Sequence, residues 1–239
     1  MKILTAAQMR EADAYTIEHE PVASIDLMER AAEKSRVALP YGRSYKIFCG
    51  LGNNGGDGLA IARGMSKRHA DEIDVYIIRY SEKCSRDFII NEKRFKEFSF
   101  KRIHNIKNRN DFPELSERDV VVDAIFGTGL SRPPEGLAAD VIRHINASKA
   151  EVISIDMPSG LFADAHTPNE VAVINASKIL TFQAPKLSFF FPENGDRVGE
   201  VEILDIGLDF DDHLGILITT FSINTSVNRW ISGECGSRG

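Results

Sequence analysis

Three short stretches of this chain carry side chains able to bind an anion or move a proton. The first is Asn53-Asn54-Gly55-Gly56-Asp57-Gly58, preceded by Gly50 and Gly52. Gly50, Gly52 and Gly55 fit the spacing G-x-G-x-x-G, in which glycines permit a tight turn and let a ligand approach bare N–H groups. The second is Asp123, followed by Gly127-Thr128-Gly129 and then Ser131-Arg132-Pro133-Pro134. The third is Asp156-Met157-Pro158-Ser159-Gly160. Gln183-Ala184-Pro185-Lys186 adds a cation able to bind phosphate or carboxylate.

These groups need a frame that brings them together. Each stretch follows an apolar run of strand length: 45–49, 120–122 and 151–155, with a fourth run at 178–182 ahead of Lys186. The uninterrupted β-branched residues at 120–122 predict a strand buried on both faces. Helical patterns lie between the runs, at 59–69, 85–98 and 137–145, and a further strand is expected at 74–80. Phe88, Phe95 and Phe98 are spaced for one helical face. Residues 101–110 predict a short edge strand and a solvated loop, 172–176 a helix start, 187–191 a buried hairpin or helix edge, and 199–206 a last strand. Two helices precede the first strand. Thr5 and Gln8 form a capping-box pattern opening a helix to about residue 18. A second runs over 24–39 with Ile25, Leu27, Met28, Ala31, Ala32 and Val37 on its apolar face. Both are expected to pack on the sheet, or to form a subunit contact. Alternation of strands and helices predicts a single α/β domain. In a parallel sheet the strand ends share one edge, where ligands bind. Asn53, Asn54 and Asp57 are therefore expected near Asp123, Thr128, Asp156 and Ser159, with Lys186 pointing to the same edge.

Composition excludes several classes. The chain has 239 residues, 43% hydrophobic and 27% charged, with a net charge of −6, which argues against a nucleic-acid footprint. There is no apolar run of membrane-spanning length and no secretory pattern at the N-terminus. Cys49, Cys84 and Cys235 lack a CxxC spacing and read as free thiols, with Cys49 in the core. The six histidines show no zinc-ligand spacing. A nicotinamide dehydrogenase is disfavoured by Asn53-Asn54 and by Arg79, which stands where such folds place an acidic partner for the ribose and would suit a phosphate better.

The motifs CGLGNNGGDGLAIAR, VVDAIFGTGLSRPPEG, SIDMPSGL, LTFQAPK and PENGDRVGEVEILDIGL occur in the order found in the YjeF N-terminal family, which the chain resembles over about residues 1–208. The resemblance implies a Rossmann-like three-layer α/β/α sandwich with a mostly parallel sheet, spanning 1–210, with 211–239 a tail of uncertain structure. It implies an NAD(P)H-hydrate epimerase, interconverting the R and S forms of NADH or NADPH hydrated at C6 of the nicotinamide ring. Asn53, Asn54, Gly55, Gly56, Asp57, Gly127, Thr128, Gly129, Leu130, Ser131, Arg132, Pro133 and Asp156 would then contact this substrate, with Lys186 joining them. Asn54, Asp123 and Ser159 match the family's potassium ligands, and hard oxygen donors with one carboxylate suit a monovalent cation. Asp156 is the candidate acid–base or electrostatic group. The resemblance further implies a cytoplasmic homodimer cooperating with a separate ADP- or ATP-dependent dehydratase, an activity not expected of this chain. The alternative is a non-catalytic module of the same fold for nucleotide binding or dimerisation, against which Asn54, Asp57, Asp123, Asp156 and Ser159 all weigh.

Overall fold

The computed structural model describes residues 3–20, 22–66, 72–99 and 102–208. The expected tail 211–239, including the apolar run 216–221, Trp230 and Cys235, lies outside the described residues. Helix α1 (Ala6–His19) opens with the capping box of Thr5 and Gln8, each side chain bonded to the other's backbone N–H. Helix α2 (Ser24–Ala38) follows. Five strands with three helices among them follow: β1 (Ser44–Cys49), α3 (Asn53–Ser66), β2 (Glu72–Ile78), α4 (Arg86–Ser99), β3 (Ile103–Ile106), β4 (Asp119–Ala124), α5 (Gly136–Asn146) and β5 (Glu151–Ile155). Strands β6 (Ala176–Phe182) and β7 (Val198–Leu204) end the described fold.

The sheet runs in the order β3-β2-β1-β4-β5-β6-β7, and every pairing is parallel. From β1 the chain winds outward to β3, then returns to β4 and winds the other way. The reversal falls between β1 and β4, where Phe48 pairs with Asp123 and Cys49 with Ala124. In open parallel sheets that switch point is where a crevice forms at the strand ends.

Strand alternation divides the core in two. Ile47, Cys49, Val75, Ile77, Val120, Val122 and Ile155 face α2 and α3, while Phe48, Tyr76, Val121 and Ile179 face Val141, Ile142 and Ile145 of α5. Helices thus cover both faces, giving the three-layer sandwich. Among the described residues no helix is long and apolar enough to cross a membrane.

Several local expectations change. Val37 and Phe98 are exposed rather than core. The buried pairs of α2 recur as Leu27/Met28, Ala31/Ala32 and Ser35/Arg36, an i, i+4 spacing that turns Val37 outward. Residues 172–175 form no helix; they run extended into β6, with Ile174 donating its N–H to the Ser159 carbonyl. Residues Leu187–Phe190 form a 3₁₀ turn.

The largest change concerns α3, which starts at Asn53, six residues before the helix read from sequence. Gly55, Gly56 and Gly58 lie inside it and are packing residues. A Cβ on Gly55 would sit 1.9 Å from the Gly50 carbonyl oxygen, and one on Gly58 would lie 2.6 Å from the Ala124 Cβ. These glycines let α3 press against the ends of β1 and β4. The segment open to a ligand shrinks to Gly52, Asn53, Asn54 and Asp57.

Candidate active site

At the switch point lies a pocket of about 500 Å³. Its lining draws on five neighbourhoods: Gly52, Asn53, Asn54 and Asp57 at the start of α3; Ile125 to Arg132 after β4; Asp156 after β5; Met9, Arg10, Asp13 and Ile17 of α1; and Ser24, Leu27, Met28 and Ala31 of α2. Tyr80, which stacks at an angle on Phe126, and Phe182 add aromatic walls. Helix α3 directs its N-terminal end into this space, where its dipole favours negative charge.

Asp156 sits in an unusual backbone. Its φ is 67°, the left-handed region, and Met157 N–H bonds the Ile155 carbonyl across it at 2.8 Å, a tight γ-turn. Gln183 repeats the arrangement one strand away: φ is 60°, and Ala184 N–H bonds the Phe182 carbonyl. Positive φ in non-glycine residues is strained and persists where surroundings impose it. Here β5 and β6 both end in this hook. The first hook places the Asp156 carboxylate under the second glycine loop, where Thr128 N–H approaches Oδ2 at 3.3 Å. A Cβ on Gly127 would lie 3.1 Å from that same oxygen, a contact tight enough to push the carboxylate back by a few tenths of an ångström.

Lys186 does not reach out to the pocket as the strand-end position suggests. Its side chain is 1% exposed, and its Nζ lies 2.8 Å from Asp156 Oδ1 while donating to Thr181 Oγ1 and to the carbonyls of Phe182 and Ala184. The chain doubles back after Gln183, turning Lys186 beneath the site. Lys186 therefore positions Asp156 from behind.

A second polar cluster lies below the loops. Asp123, within β4 and fully buried, accepts from Ser154 Oγ, from the Ser159 N–H and hydroxyl, and from Ile125 N–H. Ser159 Oγ in turn accepts from Phe126 N–H at 2.8 Å. Burial pushes the Asp123 carboxyl up from its ordinary range, against the pull of these hydrogen bonds. Among the described residues no cationic side chain pairs with it. Asn54 is also buried, and neither its Oδ1 nor its Nδ2 has a partner. An unsatisfied buried amide is uncommon and points to a group that completes it.

The carboxyls around the pocket are crowded. Burial, and then the negative charge of Asp156, push Asp13 up to about 6, with Lys186 opposing. Asp57 is held well above the usual carboxylate range by burial and then by Asp156, Asp13 and Asp87. Arg79, in contrast, is committed elsewhere, to Glu92 and Asn105.

Of the residues singled out in the sequence, Asn53, Asn54, Asp57, Gly127 to Arg132 and Asp156 line the pocket together. Gly55 and Gly56 pack away from it, the latter against Met28, and Pro133 does not line it. Asp123 and Ser159 form the cluster beneath. Sequence reasoning missed Asp13 and Arg10. A signal existed: Ala12 and Thr16 are buried, so Asp13 stands beside the buried stripe of its helix.

The family model described as YjeF-related protein N-terminus matches residues 24–188. The chain belongs to this family. It is 32% identical over 211 residues to the NAD(P)H-hydrate epimerase of Weissella koreensis, covering 86% of this chain and 91% of that protein. The NAD(P)H-hydrate epimerase of Oenococcus oeni is 34% identical over 210 residues, with 96% of it covered. The bifunctional NAD(P)H-hydrate repair enzyme Nnr of Moorella thermoacetica is 35% identical over 219 residues, but this chain spans only 41% of its length. In fold, the crystal structure of yeast ynu0 agrees with a TM-score of 0.70 at 21% identity, over 85% of this chain and 88% of that one. The YjeF-type matched span holds Asn53 through Lys186 but begins after α1, so Arg10 and Asp13 lie outside it.

Proposed function

We propose that this chain is an NAD(P)H-hydrate epimerase, interconverting the R and S forms of hydrated NADH or NADPH. The observation that carries the reading is the meeting of Asn53, Asn54, Asp57, the 127–132 loop and Asp156 around one pocket. It occurs in a chain that aligns along nearly the whole length of proteins named for this activity. Epimerising C6 requires its hydroxyl to leave one face of the ring and return on the other, through a cation stabilised by the ring nitrogen, or through ring opening. Either route moves a proton onto and off an oxygen. Asp156, fixed by its hook and by Lys186, is the group we assign to that transfer or to balancing the positive charge.

Asn54, Asp123 and Ser159 would hold a potassium ion. The unpartnered Asn54 amide and the buried Asp123 carboxyl without a cationic partner among the described residues support the fit. Bound there, the ion would supply fixed positive charge near the substrate phosphates and order the two loops. On this reading the protein is a cytoplasmic homodimer whose S product feeds a separate ADP- or ATP-dependent dehydratase; light scattering of the purified protein tests the dimer.

The deciding experiment supplies purified R-epimer of NADPH hydrate and follows its conversion to S by chromatography, with the spontaneous rate subtracted. Acceleration that needs Asp156 and rises with potassium supports the reading. A folded protein that gives no acceleration overturns it.

A further inference from the structure

Changing the face of a carbon poses a problem that one carboxyl does not solve. A group on one side of the ring can protonate the departing hydroxyl there. It cannot also take the proton from water arriving on the other side. On the route through the ring cation, a pocket for this reaction is served by two proton-handling groups, supplied by different parts of the fold.

The pocket holds such a second group on α1. Met9, Arg10, Asp13 and Ile17 follow helical spacing and line the cavity together. Asp13 is half-buried, yet no hydrogen bond or ion pair among the described residues engages its carboxyl. The charged groups facing it are Arg10 on its own helix, Asp57 on α3, Asp156 after β5 and Lys186 after β6. A carboxyl left unpaired in that company works against folding, and such groups concentrate where chemistry needs them. The span matched by the family model begins at residue 24, beyond α1.

We propose, resting on the epimerase reading, that Asp13 is the second proton-transfer carboxyl of this site and works as a pair with Asp156. In one direction a protonated carboxyl of the pair gives its proton to the C6 hydroxyl. The C–O bond breaks, its electrons leave with water, and the ring-nitrogen lone pair forms the C=N bond of the cation. Water then adds to the opposite face and gives a proton to the ionised partner. In the other direction the roles exchange, and no net proton is consumed. The active form holds one proton between the two carboxyls. Asp13, raised to about 6 chiefly by burial, can carry that proton up to about that pH. Activity in both directions should therefore fall as pH climbs through about 6.

The test measures epimerisation of R-NADPH hydrate by wild type, Asp13→Asn and Asp13→Glu, across pH 5.5 to 8, with the spontaneous rate subtracted. Binding of NADP⁺ and thermal melting are measured alongside. Asp13→Asn is expected to lower kcat by about 100-fold or more, the range of a lost acid–base group. KM and NADP⁺ affinity should stay within about threefold of wild type, and the decline near pH 6 should vanish. Asp13→Glu, which keeps the carboxyl, should recover part of the rate and retain the decline. Active wild type with an equally active Asp13→Asn, or a variant impaired only in KM, overturns this proposal alone. An inactive wild type overturns the epimerase reading and the proposal with it.

Discussion

At the scale of single residues the site is governed by how few cations serve its carboxyls. Lys186 is the buried one, and it is spent on Asp156. Lys186→Met would leave Asp156 without its partner, and we expect a loss of about 3 kcal/mol or more in urea unfolding. Asp156→Asn keeps the shape of the hook and should lower kcat by about 100-fold or more with substrate affinity retained; near-normal turnover would reduce Asp156 to a binding role. Asp13 makes the opposite contribution to stability. Its carboxyl ionises at an ordinary 3.8 in the unfolded chain but only near 6 in the native one. Between those values the native state holds more protons, so stability falls as pH rises through that window. The loss is roughly 2–3 kcal/mol once both states are ionised. Asp13→Asn should therefore melt higher than wild type at pH 7.5, by about 5 °C, with the gain shrinking toward pH 4.

At the scale of elements, close backbone packing where β1, α3 and β4 meet sets the geometry. Gly55→Ala forces a methyl into the Gly50 carbonyl, and we expect it to destabilise by about 3 kcal/mol or more, or to abolish soluble expression. Gly129→Ala, whose Cβ meets nothing within 4 Å, should stay within about 0.5 kcal/mol. This contrast explains what the sequence revealed and what it hid. The strand–turn–helix unit was legible from the apolar run and its glycines. The true start of α3 was not, because glycines at 55, 56 and 58 are poor helix formers, and only their packing against β1, β4 and Met28 makes them helical. Likewise 172–176 has the composition of a helix start but is drawn straight by the Ser159 carbonyl and the β6 ladder.

At the scale of the whole molecule, the parallel order and its switch point follow from alternating strands and helices, and strand ends alone predicted which loops would meet. Depth was not predicted. Lys186 and Asp123 lie at strand ends as expected, yet both sink beneath the pocket, because the turn after Gln183 and the hydrogen bonds of Ser154 and Ser159 are tertiary events. The docking of α1 was equally hidden, since no local pattern says which face a leading helix will cover. The proposed potassium site offers a global readout: an ion held there by the native state alone should raise the melting temperature in KCl over NaCl by a few degrees. Asp123→Asn should remove that difference. Helix α1 also has a notable tether. The N–H of Ala6, at its first turn, donates to both carboxylate oxygens of Asp164, at 2.9 and 3.1 Å. Asp164 stands eight residues beyond Asp156 on the same connection, so one short length of chain carries the hook at one end and moors α1 at the other. The two walls of the pocket are thereby tied through one connection. Cutting the mooring with Asp164→Ala should speed amide exchange in α1 while slowing turnover, with the sheet left as protected as before.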